Sequence, residues 1–292
     1  MLVTLIAGLA IGAAYTMVAV GYNLTWLTSK TVNFAYGAFI VAGMFLSVYL
    51  YNAGLPLIIV FAVLALSGSI VAIIEYLIAI RPLEGRGDHA ELVTTVGVTT
   101  AIQGTILLLS PSEDAVRVPF LNNEGWNAMI PMPGGGRIAV AEIVLIAVSV
   151  TVALLAHFWA TRTRSGLAAL AQSEDRDAAL VLGVRPKRMA FVGFMISGAI
   201  GFALAPFVGP VTFAVVEIAF MLALKGFVVL AIGGMGSQLG ALLGGLGLGL
   251  VEALVIRFTG SSYQNLAVFI IFIATLLLRP QGLFGHARER VV

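Results

Sequence analysis

Seven stretches of this chain run without a single Asp, Glu, Lys or Arg: residues 1–29, 31–74, 92–112, 143–161, 192–216, 226–251 and 258–278. A helix needs about 20 apolar residues to cross a bilayer, so each stretch is near or above that length and 31–74 suffices for two passes. Turn signals divide the pattern further at Asn52-Ala53-Gly54-Leu55-Pro56, Pro111 and Gly260-Ser261-Ser262. The pattern predicts spans near 4–27, 34–52, 56–79, 92–110, 139–160, 190–208, 214–233, 238–256 and 262–278. This is an all-α, polytopic transmembrane helical bundle of about eight to ten spans, one domain over residues 1–292. Gly, Pro and Asn in 28–37 and 209–237 predict broken or re-entrant helices there.

Against this background residues 162–188 form a polar island. They hold six of the 16 Lys and Arg and three of the 14 acids. A short helix is expected over 174–182, about 13 Å long at about 1.5 Å per residue. Ser173 is its expected N-cap, Glu174 and Asp175 place charge on its first turn, and Gly183 with Pro186 ends it. Ala178, Val181 and Leu182 share one side, while Asp175, Arg176 and Asp177 cover much of the rest. A separately capped helix between spans suits a grip on a soluble partner. The second long polar segment, 111–137, carries four prolines, Gly134-Gly135-Gly136 and Trp126. It reads as a connector with Trp126 at the interface, or as a docking surface for an external delivery protein.

Composition agrees with the pattern: 60% of residues are hydrophobic, 10% are charged, and mean hydropathy is +1.05. No cysteine is present, which excludes disulfide and thiol chemistry. The first apolar run lacks a basic leader and is too long for a cleaved signal, so it reads as a retained span. The net charge of +2 matters less than its placement. With 162–188 in the cytoplasm, twelve basic residues fall inside, including Lys30, Arg81, Arg86, Arg279, Arg288 and Arg290. Only Arg117, Arg137 and Arg257 fall outside, and Lys225 lies within a span. The positive-inside rule then puts the N-terminus outside and the C-terminus in the cytoplasm.

Glycine is concentrated at 233–249, where Gly236, Gly240 and Gly244 keep small-xxx-small spacing, as do Gly245 with Gly249 and Gly8 with Gly12. Such spacing lets helix backbones approach closely in lipid. Gly233, Gly234 and Ser237 are candidates for an unwound stretch lining a cavity. Ionisable groups at membrane depth are Glu75, Glu217, Lys225 and Glu252. Each needs a partner or nearby water, since a charge at the bilayer centre costs about 2.5–3.5 kcal/mol. For Lys225 and Glu252, pairing inside the bundle and a place on a substrate path are both open. Glu75, one turn before Arg81, is expected to snorkel to the interface. Asn33 and Gln103 are further polar candidates.

Other chemistry is not supported. His89, His157 and His286 are isolated and lack ligand spacing. No GxxxxGK[ST] occurs, so ATP hydrolysis is not expected on this chain. Nucleic-acid binding is not expected either, because the basic residues form a girdle on one membrane face.

These motifs together resemble the membrane subunit of branched-chain amino acid ABC importers, specifically the shorter of its two paired permeases. The resemblance covers nearly all the chain except 111–137. It rests on Asn33-Phe34-Ala35-Tyr36-Gly37, on Glu75 with Arg81-Pro82-Leu83, and on Thr94-Thr95-Val96-Gly97 with Gln103. It continues through Arg162-Thr163-Arg164-Ser165-Gly166, Ala231-Ile232-Gly233-Gly234-Met235-Gly236-Ser237, Gly240, Gly244-Gly245 and Glu252. The tail Arg279-Pro280-Gln281-Gly282-Leu283-Phe284-Gly285 completes the set. The general coupling pattern Glu-Ala-Ala-xxx-Gly is matched by Asp177-Ala178-Ala179-Leu180-Val181-Leu182-Gly183, with Asp in place of Glu and without the later proline. The family often has His where this chain has Tyr36.

The resemblance implies a type II ABC-importer-like permease, no enzyme itself and with no bound cofactor, in the inner membrane of a prokaryote. Two cytoplasmic ATPase subunits would carry ATP and Mg, a second permease (a related chain or a copy) would complete the path, and an external binding protein would deliver substrate. Ser173, Glu174, Asp175, Asp177, Ala178, Ala179, Leu182 and Gly183 would couple to the ATPases. Asn33, Gly37, Gln103, Lys225, Gly233, Gly234, Ser237 and Glu252 are the candidates for the substrate path. The expected cargo is branched-chain or other hydrophobic amino acids, moved by alternating access. Relatives also carry urea or short amides. An ion-coupled secondary transporter is the rival reading, with Lys225 and Glu252 as coupling groups; a channel or scaffolding subunit is a third.

Overall fold

The structure, a computed structural model, describes residues 1–83, 90–110, 115–119, 121, 128–132 and 136–285. Among these, the helices are α1 (Leu2–Ser29), α2 (Tyr36–Asn52), α3 (Leu57–Glu75), α4 (Ala90–Leu109), α5 (Val140–Arg162), α6 (Arg164–Glu174), α7 (Arg176–Val181), α8 (Pro186–Thr212), α9 (Ile218–Gly233), α10 (Gln238–Thr259) and α11 (Gln264–Leu278). Seven helical stretches are long and apolar enough to cross a membrane, with α2 and α9 as shorter apolar helices. Every predicted span has its helix. Helix ends shift by a few residues, most for 190–208, which begins four residues earlier because Pro186 occupies the first turn of α8.

Hidden in this order is a repeat that the sequence does not show. Helices α1 to α4 recur as α8 to α11, running in the opposite direction. Both α1 and α8 are long, 28 and 27 residues. Both end on a non-glycine residue with positive φ, Lys30 at 59° and Phe213 at 60°. A non-helical stretch follows each, 31–35 and 213–217, closing in a turn at 34–35 and at 216–217, and then comes a short helix of 17 or 16 residues. About 25 Å of helix falls short of a hydrocarbon core of about 30 Å, so the non-helical stretches add the missing length. Packing obeys the same exchange: α1 crosses α10 as α8 crosses α3, both antiparallel, and α1 packs on α8 across the centre. Helix α5 stands outside the repeat, as do the two small helices after it.

Glycines set the closest crossings. A Cβ at Gly8 would lie 2.7 Å from Ala253 Cβ, and one at Gly12 would lie 2.9 Å from Leu246 Cα. Without side chains at these points the backbones of α1 and α10 touch, as the small-xxx-small spacing predicts. Around them the core is built from buried Tyr22, Tyr36, Phe39, Met17, Ile40 and Met44. Opposite the polar island, β1 (Met129–Pro131) pairs antiparallel with β2 (Arg137–Ala139), and Val116 bridges to Ala214. The expected connector over 111–137 therefore includes a small hairpin folded onto the bundle. Arg86, Trp126, Arg288 and Arg290, which entered the sequence reading, lie outside the described residues.

Candidate functional site

The polar island is two helices rather than one. Thr163 caps α6, its Oγ1 accepting from Gly166 N at 3.1 Å. Asp175, not Ser173, caps α7: its Oδ1 accepts from Asp177 N at 2.9 Å and Ala178 N at 3.0 Å. Ser173 lies in the last turn of α6 and donates back to Leu170 O at 2.7 Å, and Glu174 ends that helix. The expected helix over 174–182 is thus shortened, because Asp175 is a better cap than a serine already committed to a helical turn. Gly183 ends α7 as expected, with φ 87°, Val184 N bonding Ala179 O and Gly183 N bonding Leu180 O.

Ala178, Val181 and Leu182, expected on one side, are exposed together. Ala179 is turned inward at 1% exposure, while Leu180, Val181 and Leu182 stand 49%, 88% and 79% exposed. Ala178 and Asp177 are exposed beside them. Together these side chains make an exposed apolar patch at a loop tip, flanked by charge. Behind it, Gln172 holds α6 to the bundle: its Nε2 donates to Thr28 O, in the last turn of α1, at 2.6 Å. Sequence reasoning missed Gln172, whose partner lies 144 residues away.

The candidates for the path gather at three places. Lys225 Nζ lies 2.7 Å from Glu252 Oε1 and donates to Tyr15 Oη at 3.0 Å, while Tyr15 Oη donates to Glu252 Oε2 at 2.7 Å. Helices α9, α10 and α1 thus share one buried ion pair with a phenol bridging it. Tyr15 gave no signal in the sequence beyond its place in an apolar run.

Breaks in the backbone form the second place. Asn33 Nδ2 donates to Glu75 Oε2 at 2.7 Å, and its Oδ1 accepts from Ala35 N at 2.9 Å, starting α2. Glu75 is therefore buried at 3% exposure, not snorkelling, because Asn33 supplies a donor inside the bundle. Two side chains of α4 reach carbonyls of the turns that precede α2 and α9: Thr99 donates to Phe34 O at 3.2 Å and Gln103 to Val216 O at 2.8 Å. Gly37 sits where a Cβ would lie 2.9 Å from Ala223 N, letting the starts of α2 and α9 meet.

The third place is the turn between α9 and α10. Gly234 and Gly236 take φ of 96° and 86°, and Ser237 caps α10 through Gly240 N at 3.0 Å. Asn23, missed in the sequence, clamps this turn: its Oδ1 accepts from Gly236 N at 2.7 Å and its Nδ2 donates to Ser237 O at 3.0 Å. The tail closes over it, with Leu283 N on Ile232 O at 2.8 Å and Phe284 N on Gly233 O at 3.1 Å. Gly233 and Gly234 are buried under that tail rather than lining an open cavity in this conformation.

Residues 4–277 match the family described as branched-chain amino acid transport system, permease component. The Escherichia coli high-affinity branched-chain amino acid transport system permease protein LivH is 27% identical over 96% of this chain and 94% of its own. LivM, of the same system and organism, is 26% identical over 95% of this chain and 69% of its own. Among solved structures, PsaBC from Streptococcus pneumoniae in complex with Fab covers 96% of this chain and 91% of its own, at 13% identity and a TM-score of 0.49. With a match over almost its entire length, this chain belongs to the family of permease components of branched-chain amino acid transport systems.

Proposed function

We propose that this chain is the membrane-spanning permease subunit of an ATP-driven importer for branched-chain or other hydrophobic amino acids. The observation that carries the coupling is the α6–α7 pair: an exposed patch of Leu180, Val181 and Leu182, on a loop fixed to the bundle by Gln172. In the proposed orientation that patch faces the cytoplasm, as the distribution of basic residues favours, and an ATPase subunit covers it. ATP is bound and hydrolysed on that subunit, with Mg, and not on this chain.

A zwitterion does not cross hydrocarbon unaided, and a path open at both ends would leak. Alternating access between two states of the bundle meets both requirements. A second permease supplies the other wall. The least covered spans are α4 and α11, and on α4 nothing stands within 4 Å of where a Cβ at Gly97 or Gly104 would lie. LivH and LivM, two permease proteins of one organism that both resemble this chain, favour pairing with a related chain. An external binding protein delivers the substrate. Within this chain the path runs beside the starts of α2 and α9, near Asn33, Gly37 and Gln103. It ends at the turn holding Gly233, Gly234 and Ser237, which the tail closes. The Lys225–Glu252 pair joins α9 to α10 beside this path and takes part in the change between the two states.

Reconstitution tests this reading. Proteoliposomes holding this chain, its partner permease, the ATPases and the binding protein should accumulate leucine, isoleucine or valine only with ATP. Uptake of urea in their place would move the substrate class. Uptake by this chain alone under an ion gradient would replace the mechanism.

A further inference from the structure

One feature of the fold lies outside the transport machinery: a groove between the end of α3 and the start of α8, on the face that carries α6 and α7. Its volume is about 470 Å³, and it is lined by Tyr76, Leu77, Arg81, Lys187, Arg188, Phe191 and Val192. We propose that this groove binds an anionic phospholipid, its phosphate held by Arg81, Lys187 and Arg188 and its hydrocarbon lying along Leu77, Phe191 and Val192.

Local structure builds the site. Helix α3 does not stop at Glu75; it widens into a π-helical turn over Tyr76–Ile80 and tightens into a 3-10 turn over Arg81–Leu83. That change of pitch places Arg81 beside the first turn of α8, where Lys187 and Arg188 follow Pro186. Tyr76 welds the two ends together. Its hydroxyl donates to Lys187 O at 3.3 Å, and its ring packs against Phe191 and Phe194 at centroid distances of 6.1 and 5.4 Å. The wall of the groove is therefore rigid, while all three basic side chains are exposed. Among the described residues none of the three is paired with a carboxylate. The N-terminal end of a 27-residue helix adds positive potential at the same rim.

Polarity along the groove selects a lipid over a soluble anion. Cations crowd one end. Away from them the groove is apolar and uncovered, with Leu77 41% and Val192 42% exposed, and Ile78 and Ile196 just outside it are exposed as well. A phosphate that carries its own hydrocarbon satisfies both ends at once. Basic pockets between membrane helices at the headgroup level take such ligands. This site depends only on the chain being in a membrane, and so it stands or falls apart from the transport reading.

The test is lipid titration of the purified full chain, delipidated in a neutral detergent and read by native mass spectrometry. Wild type should retain phosphatidylglycerol and not phosphatidylcholine, and inorganic phosphate should not displace it. The triple variant Arg81→Gln, Lys187→Gln, Arg188→Gln should bind it about a hundredfold more weakly, as three basic groups near a membrane surface imply. Leu77→Glu, which leaves the rim intact, should also weaken binding if hydrocarbon occupies the groove. The pair Arg162→Gln, Arg164→Gln on the same face serves as control and should change little. Equal loss in the control would reduce the effect to general surface charge. Undiminished binding by the triple variant, or displacement by inorganic phosphate alone, would overturn the site.

Discussion

Two helix crossings related by the internal repeat are built alike and charged differently. At one, α1 meets α10 on Gly8, Gly12, Gly245 and Gly249; at the other, α8 meets α3 on Gly198 and Gly68. Backbones touch at both. Beside the first lies the Tyr15–Lys225–Glu252 cluster. The polar ties found at the second are neutral: Ser69 donates to Met195 O at 3.3 Å and, past the end of α3, Tyr76 donates to Lys187 O at 3.3 Å. Adhesion in lipid comes from close packing of small residues, and the second crossing holds without an ion pair. A buried pair rarely repays its desolvation against an apolar replacement. The charge in the first crossing is thus better explained by what α9 and α10 must do than by what holds them.

The sharpest way to break that comparison is to separate adhesion from charge. Glu252→Leu leaves Lys225 buried without its carboxylate and should destabilise the bundle by about 3–5 kcal/mol. Thermal unfolding in detergent, followed with membrane abundance, reads this loss. The double variant Lys225→Met, Glu252→Leu should recover most of the stability. Full transport by a well-folded double variant would remove the pair from the mechanism and leave the two crossings equivalent.

Steric damage should treat both crossings alike. A Cβ at Gly198 would lie 2.9 Å from Gly68 C, as one at Gly12 would from Leu246 Cα. Gly12→Val and Gly198→Val should each cost about 1–3 kcal/mol, the usual penalty of overpacking. A much smaller loss at Gly12 would mean that the ion pair does tether its crossing after all, and the same thermal measurement decides.

Much of this scaffold was legible in the sequence, and the reason is physical. Absence of charge over about 20 residues is a local property, so all nine apolar helices were found; small-residue spacing is local too, and it located the α1–α10 crossing. What escaped was long-range pairing. Gln172 with Thr28, Asn23 with Gly236 and Tyr15 with Glu252 join residues 144, 213 and 237 positions apart, and nothing near any of them marks its partner. Ser173 failed for a different reason: serine suits a cap, but the neighbouring Asp175 suits it better. The inverted repeat escaped because it is kept in backbone geometry, at Lys30 and Phe213, rather than in residue identity.

Asn23 tests whether the charged crossing also organises the turn below it. Asn23→Leu would leave Gly236 N–H and Ser237 C=O without their partner, a loss of about 1–3 kcal/mol if both stay buried. Limited proteolysis of the tail after residue 278 should then quicken, because the tail rests on that turn. Unchanged cleavage would show that the tail holds the turn independently of α1.

The smallest change in stability should carry the most specific loss of function. The polar island is joined to α1, a member of the charged crossing, by the short buried hydrogen bond of Gln172 and by a longer exposed one from Lys30 Nζ to Glu174 O at 3.5 Å. At the opposite face the end of α8 is held by Val116 against Ala214 instead. Gln172→Leu removes one hydrogen bond and should cost only about 1 kcal/mol. Leu182→Asp alters an exposed side chain and should change stability by less than about 0.5 kcal/mol. Their effects on the assembled transporter should nevertheless diverge. Leu182→Asp should loosen the ATPase subunit, which co-purification reads directly. Gln172→Leu should keep the ATPase bound and its basal hydrolysis intact, yet weaken stimulation by substrate-loaded binding protein, because the buried polar tie between α6 and α1 is cut. Retention of stimulated hydrolysis and uptake by Gln172→Leu would show that force reaches the bundle through α5 or α8 instead. The asymmetry between the two crossings would then have no part in coupling.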